Sequence, residues 1–180
     1  SGKFDEFCRG IAGRSVKREL GGPGRKIVVL EKRWLLKLKK WIPESTEVVR
    51  NTSNIRFSHK EKIGFEMPVK FLIMSRKSQV KGHDFAIKVV ENLRKRGIES
   101  ELSITGLNGS EKYKQRGWVK FLGWVSEERK ENVLQESDIM LSPSRFEGSS
   151  MSVIESLVNG TLCICSPASA ETVGIEELVV

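Results

Sequence analysis

The sequence predicts an α/β fold, a doubly wound parallel sheet with an amino-terminal helical and basic extension. Two observations predict it. From residue 68 onward, short apolar runs alternate with stretches of helical period, and that alternation implies right-handed crossovers between parallel strands. The net charge of +8 is confined to the other end: residues 1–62 carry 16 Lys/Arg against 7 Asp/Glu, and residues 63–180 carry 15 against 16. A chain of 180 residues is one ordinary domain, or a domain with an appendage, and can bury a real core. The chain divides into a basic extension over 1–45 and an α/β domain over 46–180.

In the extension, Lys26-Ile27-Val28-Val29-Leu30 reads as a strand behind the loop Gly21-Gly22-Pro23-Gly24. Glu31 to Ile42 then reads as an amphipathic helix, with Trp34, Leu35, Leu38, Trp41 and Ile42 at helical spacing and lysines opposite, ended by Pro43. Such a face suits either packing on protein or an anionic membrane surface.

The main domain follows in order. Val69 to Met74 is a buried strand, and Asp84 to Arg96 a helix with Phe85, Val89, Val90 and Leu93 on one face, stopped at Gly97. Leu102–Thr105 and Val119–Leu122 are strands separated by a short polar turn or helix, and Glu127–Gln135 is a helix. Ile139–Ser142 is the fourth strand. Met151–Val158 is a helix closed by Asn159-Gly160, with Met151, Ile154 and Val158 as its buried stripe, and Leu162–Cys165 is the fifth strand. Cys163 and Cys165 are expected on opposite faces of that strand as reduced core residues, since three cysteines without metal-ligand spacing suggest neither a disulfide framework nor a metal site.

In an open parallel sheet, ligands lie beyond the carboxyl ends of the strands. Arg76 follows the first strand of the domain and Glu147 the fourth, so both fall on that edge. Gly148-Ser149-Ser150 leads into the helix at Met151, where unpaired backbone N–H groups favour an anion such as phosphate. Arg76 and Lys81 would neutralise a diphosphate from the other side. Glu155 falls beside the apolar stripe of its helix and needs partners, which ribose hydroxyls would supply; Glu147 would face the group attached to the phosphates. Trp124 and Val125 are candidates for a base pocket, with packing the commoner role for such a tryptophan, and His83 reads as a helix-start residue rather than a general base. His59 carries no signal.

At these residues the chain resembles the donor-binding, carboxyl-terminal half of GT-B glycosyltransferases of the retaining family-four type. Ser75-Arg76-Lys77-Ser78-Gln79-Val80-Lys81-Gly82 is similar to that family's Gly-Arg…Lys-Gly loop, Phe121-Leu122-Gly123-Trp124-Val125 to its third-strand ending, and Glu147 with Glu155 to its paired glutamates. The resemblance covers about residues 46–180 and implies a Rossmann-like half of a GT-B fold. It further implies that Arg76 and Lys81 bind a nucleotide diphosphate, that Glu147 contacts the donor sugar, that Glu155 holds the ribose, and that no metal is needed. Residues 25–50 resemble the last strand and helix of the family's acceptor-binding domain. Gly148-Ser149-Ser150 replaces the commoner Gly-Phe-Gly, and Thr172-Val173-Gly174-Ile175-Glu176-Glu177 replaces a Gly-Gly-x-x-Glu turn, so the carboxyl end is expected to be short relative to the family.

The expected activity is therefore retaining transfer from a nucleotide-diphosphate sugar to an acceptor glycan or lipid-linked acceptor, once an acceptor domain completes the cleft; the alternative is a non-catalytic nucleotide or sugar-phosphate binding module. A nucleic-acid partner is not expected, because aromatics are not interleaved with the basic residues. The chain opens without a hydrophobic signal and has no apolar run of the ~20 residues a membrane span requires, so the expected location is cytoplasmic or membrane-peripheral. Tryptophan fluorescence separates the two readings of residues 31–42. On anionic vesicles a lipid-binding helix gives a strengthened, blue-shifted emission that salt reverses, whereas unchanged emission assigns the helix to protein packing.

Overall fold

The computed structural model describes residues 27–39, 46–55, 64–109, 113 and 116–173. They belong to two compact units that divide between Asn51 and Thr52. The Gly21–Gly24 loop, Trp41, Ile42, His59, the polar stretch at 110–112 and the turn residues from Gly174 onward lie outside the described residues, as does the Leu38 side chain.

The first unit contains strand β1 (Ile27–Val29), helix α1 (Lys32–Lys39) and strand β2 (Thr46–Val48). The two strands pair in parallel from Ile27 with Thr46 to Val29 with Val48, so residues 46–48 associate with the amino-terminal unit. Glu31 is buried just before α1 and pairs with Arg33 at 2.7 Å. Trp34 and Leu35 are half-buried, and Leu36 on the other side is exposed.

The second unit is the sheet. Strands β3 (Val69–Met74), β4 (Ser100–Thr105), β5 (Val119–Gly123), β6 (Ile139–Ser142) and β7 (Leu162–Cys165) lie all parallel in the order β5-β4-β3-β6-β7. Helices α2 (His83–Lys95), α3 (Glu127–Glu136), α4 (Met151–Val158) and α5 (Pro167–Ala170) connect or follow them. Strand β3 is covered on both faces from Phe71 to Met74, which is why those four residues read as an unbroken apolar run. Phe71 and Ile73 join Ala86, Ile87 and Val90 of α2 with Leu102, Ile104, Ile139 and Leu141 on one side. Leu72 and Met74 join Val133 and Leu134 of α3, Met140, and Val153 of α4 on the other. The start of β6 is stapled to β3 by a reciprocal pair: Lys70 N–H donates to Asp138 Oδ2 at 2.8 Å, and Asp138 N–H donates to the Lys70 carbonyl at 2.8 Å.

Three expectations about faces are corrected. On α2 the sheet takes the arc Ala86, Ile87, Val90, and Phe85 is 62% exposed. The two apolar arcs overlap on a helix of 3.6-residue period, and only the sheet chooses between them. On α4 the buried residues are Val153, Glu155 and Ser156, while Met151 is exposed and Ile154 and Val158 are half-buried. That arc is polar because its neighbours are: Ser156 Oγ donates to the Thr161 carbonyl at 2.8 Å, and Glu155 meets a lysine. Finally, Cys163 and Cys165 share one face. Side chains two apart on a strand point the same way, and both cysteines pack on the Leu72 side of the sheet while Leu162 and Ile164 are exposed. Both thiols are free, and burial pushes that of Cys163 up to about 12.

The loop from β3 reaches across to the loop from β6. Gly82 holds φ +72°, and a Cβ there would stand 2.6 Å from the Pro143 carbonyl oxygen, while Arg145 N–H donates to the Val80 carbonyl at 2.7 Å. Gly97 also has positive φ (+83°) but faces open space. Gly97→Ala should therefore cost only the ~1–2 kcal/mol of a left-handed alanine, and Gly82→Ala distinctly more. Urea midpoints of the two variants check this; equal midpoints would mean that the Pro143 contact does not constrain the loop.

Candidate functional site

The chain order of the strands changes direction at β3. From there β4 and β5 build one way and β6 and β7 the other, so the crevice between β3 and β6 opens at their carboxyl ends, where a doubly wound sheet takes its ligand. Arg76 and Lys81 leave β3 at this point, and Glu147 leaves β6.

The fold brings Lys81 and Glu147 into direct contact. Lys81 Nζ donates to Glu147 Oε1 at 2.7 Å across 66 residues of sequence, with the glutamate buried and the lysine mostly so. Lys81 ends a single 3-10 turn, Gln79–Lys81, that Gly82 terminates before α2 begins, and this turn aims the lysine toward the β6 loop. Arg76 lies earlier on the same loop, exposed, with no partner among the described residues. The crevice thus holds a charge-assisted ion pair and a solvated guanidinium, two cations able to meet phosphate oxygens.

Helix α4 begins beside them. Ser150 is its N-cap residue, yet its N–H donates to Thr172 Oγ1 at 3.0 Å and its hydroxyl pairs with Ser152 Oγ at 3.1 Å. That N–H is therefore already bonded within the protein, and the half-buried Ser149 and exposed Met151 are the neighbours nearer solvent. One turn on, Glu155 is 7% exposed. Its Oε1 accepts from Lys130 Nζ at 2.9 Å, and the same ammonium reaches both oxygens of Glu127 at 2.9 Å. Burial works against the Lys130 charge, but the hydrogen bonds it donates to Glu127 and Glu155 outweigh that and hold the pKa above the ordinary lysine value.

Sequence reasoning missed Lys130. A buried carboxylate demands a partner, but one 25 residues away on another helix has no local signature. Thr172 was missed for the same reason. Trp124 departs from the packing role expected of it, being 84% exposed, and it stands with half-buried Val125 after β5, two strands from β3.

The family described as Glycosyl transferases group 1 matches residues 55–178. EpsF of Bacillus subtilis (strain 168), assigned as a glycosyltransferase, is 32% identical over 108 residues, covering 56% of this chain and 28% of that protein. Among solved structures, WaaG, a glycosyltransferase involved in lipopolysaccharide biosynthesis, superposes with a TM-score of 0.70 at 16% identity, covering 95% of this chain and 53% of that one. S. aureus TarM, as a G117R mutant in complex with Fondaparinux, alpha-GlcNAc-glycerol and UDP, superposes at 0.64 with 19% identity, covering 78% and 29%. The chain thus spans 28% of EpsF, 29% of TarM and about half of WaaG.

His83 opens α2 directly after this loop. Its Nε2 lies 2.9 Å from Ser75 Oγ, and burial lowers its pKa from the ordinary 6.5 against the raising effects of Ser75 and Asp84. The folded protein accepts this proton less readily than the unfolded chain, so the contribution to stability is intact above 6.5 and is lost as pH falls below it. Between about pH 7.5 and 5.5 the wild-type chain should lose stability that His83→Gln retains, measured by urea unfolding. Parallel pH profiles would remove this role.

Proposed function

Because the chain belongs to the glycosyl transferases group 1 family, we propose that it supplies the donor half of a sugar-transferring enzyme, holding a nucleotide-diphosphate sugar in the crevice between β3 and β6. The single observation that carries this reading is the contact of Lys81 with Glu147, because it joins the two loops at the point where such a sheet takes its ligand. The chemistry is consistent with that role. A diphosphate entering the crevice offers Lys81 a phosphate oxygen in exchange for a carboxylate oxygen, so the buried charge of the lysine is never left unpaired. Glu147, released from the lysine, can then accept hydrogen bonds from sugar hydroxyls. Arg76 is free to swing onto the same phosphates and add a second positive charge.

Catalysis in this reading is positioning and charge neutralisation. As the bond between the sugar and the diphosphate lengthens, negative charge builds on the leaving phosphate, and Arg76, Lys81 and the N–H groups at the start of α4 stabilise it more than they stabilise the ground state. Glu147 holds the sugar while an acceptor hydroxyl attacks, with retention of anomeric configuration, in a cleft completed by an acceptor-binding domain. The acceptor would be a glycan or a lipid-linked sugar. Glu155 takes the ribose hydroxyls.

Calorimetric titration with UDP, GDP and ADP tests the reading. One of these should bind, and Arg76→Ala should weaken it by ~1.5–3 kcal/mol, the scale of a lost charge-assisted contact. Affinity unchanged in Arg76→Ala would withdraw the diphosphate assignment.

A further inference from the structure

The ion pair behind Glu155 is not explained by ribose binding alone. Lys130 lies in the first turn of α3, whose N-cap Ser126 accepts from Arg129 N–H at 3.2 Å, and its side chain is only 19% exposed. Helices α3 and α4 cover the same face of the sheet, packed together through Val133, Leu134 and Val153, and both begin at the carboxyl ends of strands. The first turn of α3 therefore meets the second turn of α4. There the Lys130 ammonium is shared between two carboxylates of different character: Glu127 is 80% exposed and Glu155 10%. Solvent screens the Glu127 contact, so the desolvated Glu155 contact dominates.

We propose that Lys130 is a positioning residue for ribose recognition, fixing the Glu155 carboxylate through Oε1 so that Oε2 faces the ribose hydroxyls of a bound nucleotide. This rests on the donor-site reading above. The stereochemistry favours it. A carboxylate has about four lone-pair sites on two oxygens, and an ammonium on one oxygen stops the group from rotating while leaving the other oxygen able to accept from two hydroxyl donors. The structure records no other partner for the Glu155 side chain among the described residues. Glu127 keeps the lysine in place when a ligand arrives, since its three-residue offset on α3 is the distance at which helical side chains meet. Lys130 makes no contact with phosphate in this arrangement, so its removal should affect sugar recognition and spare diphosphate recognition.

The test measures binding of the full chain to whichever of UDP, GDP and ADP binds best, to its 2′-deoxy and 3′-deoxy analogues, and to inorganic pyrophosphate. In the wild-type chain, loss of the recognised hydroxyl should weaken binding about tenfold, the size of one hydrogen bond to a charged acceptor. In Lys130→Met that ribo-to-deoxy ratio should collapse to about twofold or less. Pyrophosphate affinity should stay unchanged, and Lys130→Arg should restore the ratio. Should Lys130→Met fail to fold, Lys130→Gln, which keeps a donor and most of the stem, is read by the same criteria. An unaltered ribo-to-deoxy ratio in a folded variant overturns the proposal while leaving the donor site standing. A parallel loss of pyrophosphate binding also overturns it, by making Lys130 a phosphate ligand. Absence of any nucleotide binding by the wild-type chain sinks the donor-site reading itself.

Discussion

Strand β3 must be covered on both faces, and most of the second unit follows from that requirement. Its side chains alternate between two cores, so one helix has to lie on one side and two on the other. Right-handed crossovers can meet this demand only if the chain leaves β3 in one direction, builds β4 and β5, and then returns to place β6 on the opposite flank. The return opens the crevice between β3 and β6. Because neighbouring parallel strands run the same way, the loops leaving both strands are delivered to the same edge. The Gly82 approach to Pro143 and the Arg145 to Val80 hydrogen bond are consequences of that delivery, and they bring the two charged loops within reach of each other.

Charge in this half of the molecule is placed rather than accumulated. Residues 63–180 are nearly neutral, so this half has no broad field of one sign, and its cations at the crevice stand in defined geometry. Each buried carboxylate has its own solution. Asp138 accepts from a backbone N–H of β3, Glu147 takes the Lys81 ammonium, and Glu155 takes Lys130. Burying these groups is tolerable only because each is satisfied, and the satisfying partners come from 68, 66 and 25 residues away. Stability and site geometry are thereby tied to the same contacts.

Behind the crevice a layer of hydroxyls holds the backbone. Ser142 Oγ and Ser169 Oγ lie 3.0 Å apart, Ser166 Oγ donates to the Ser144 carbonyl at 2.5 Å, and Thr172 accepts from Ser150 N–H at 3.0 Å. Short helix α5, with Ser166 just before it and Thr172 two residues after it, therefore braces both the end of β6 and the start of α4. Small hydroxyl side chains suit this position, since they satisfy backbone groups at close range without occupying the space a ligand needs.

The sequence by itself was enough for the elements of the sheet. Val69–Met74, Ile139–Ser142, Met151–Val158 and Leu162–Cys165 have the spans their apolar patterns indicate, because short apolar runs bounded by polar residues and helices ended by Asn-Gly are local statements about solvent and backbone. The edge that carries Arg76, Lys81, Glu147 and Glu155 was legible too, since the alternation of strand and helix dictates where loops emerge. Faces and partners were not. Which arc of α2 turns inward, why α4 buries a glutamate, that Ser150 is already bonded, and that Trp124 stands in solvent all depend on what packs alongside. Lys81 meets Glu147, and Lys130 meets Glu155, only once the sheet order has set two distant loops and two distant helices side by side. Periodicity records that an element has an apolar face; it does not choose between overlapping arcs or say which remote residue shares the interior, and the tertiary structure alone decides both.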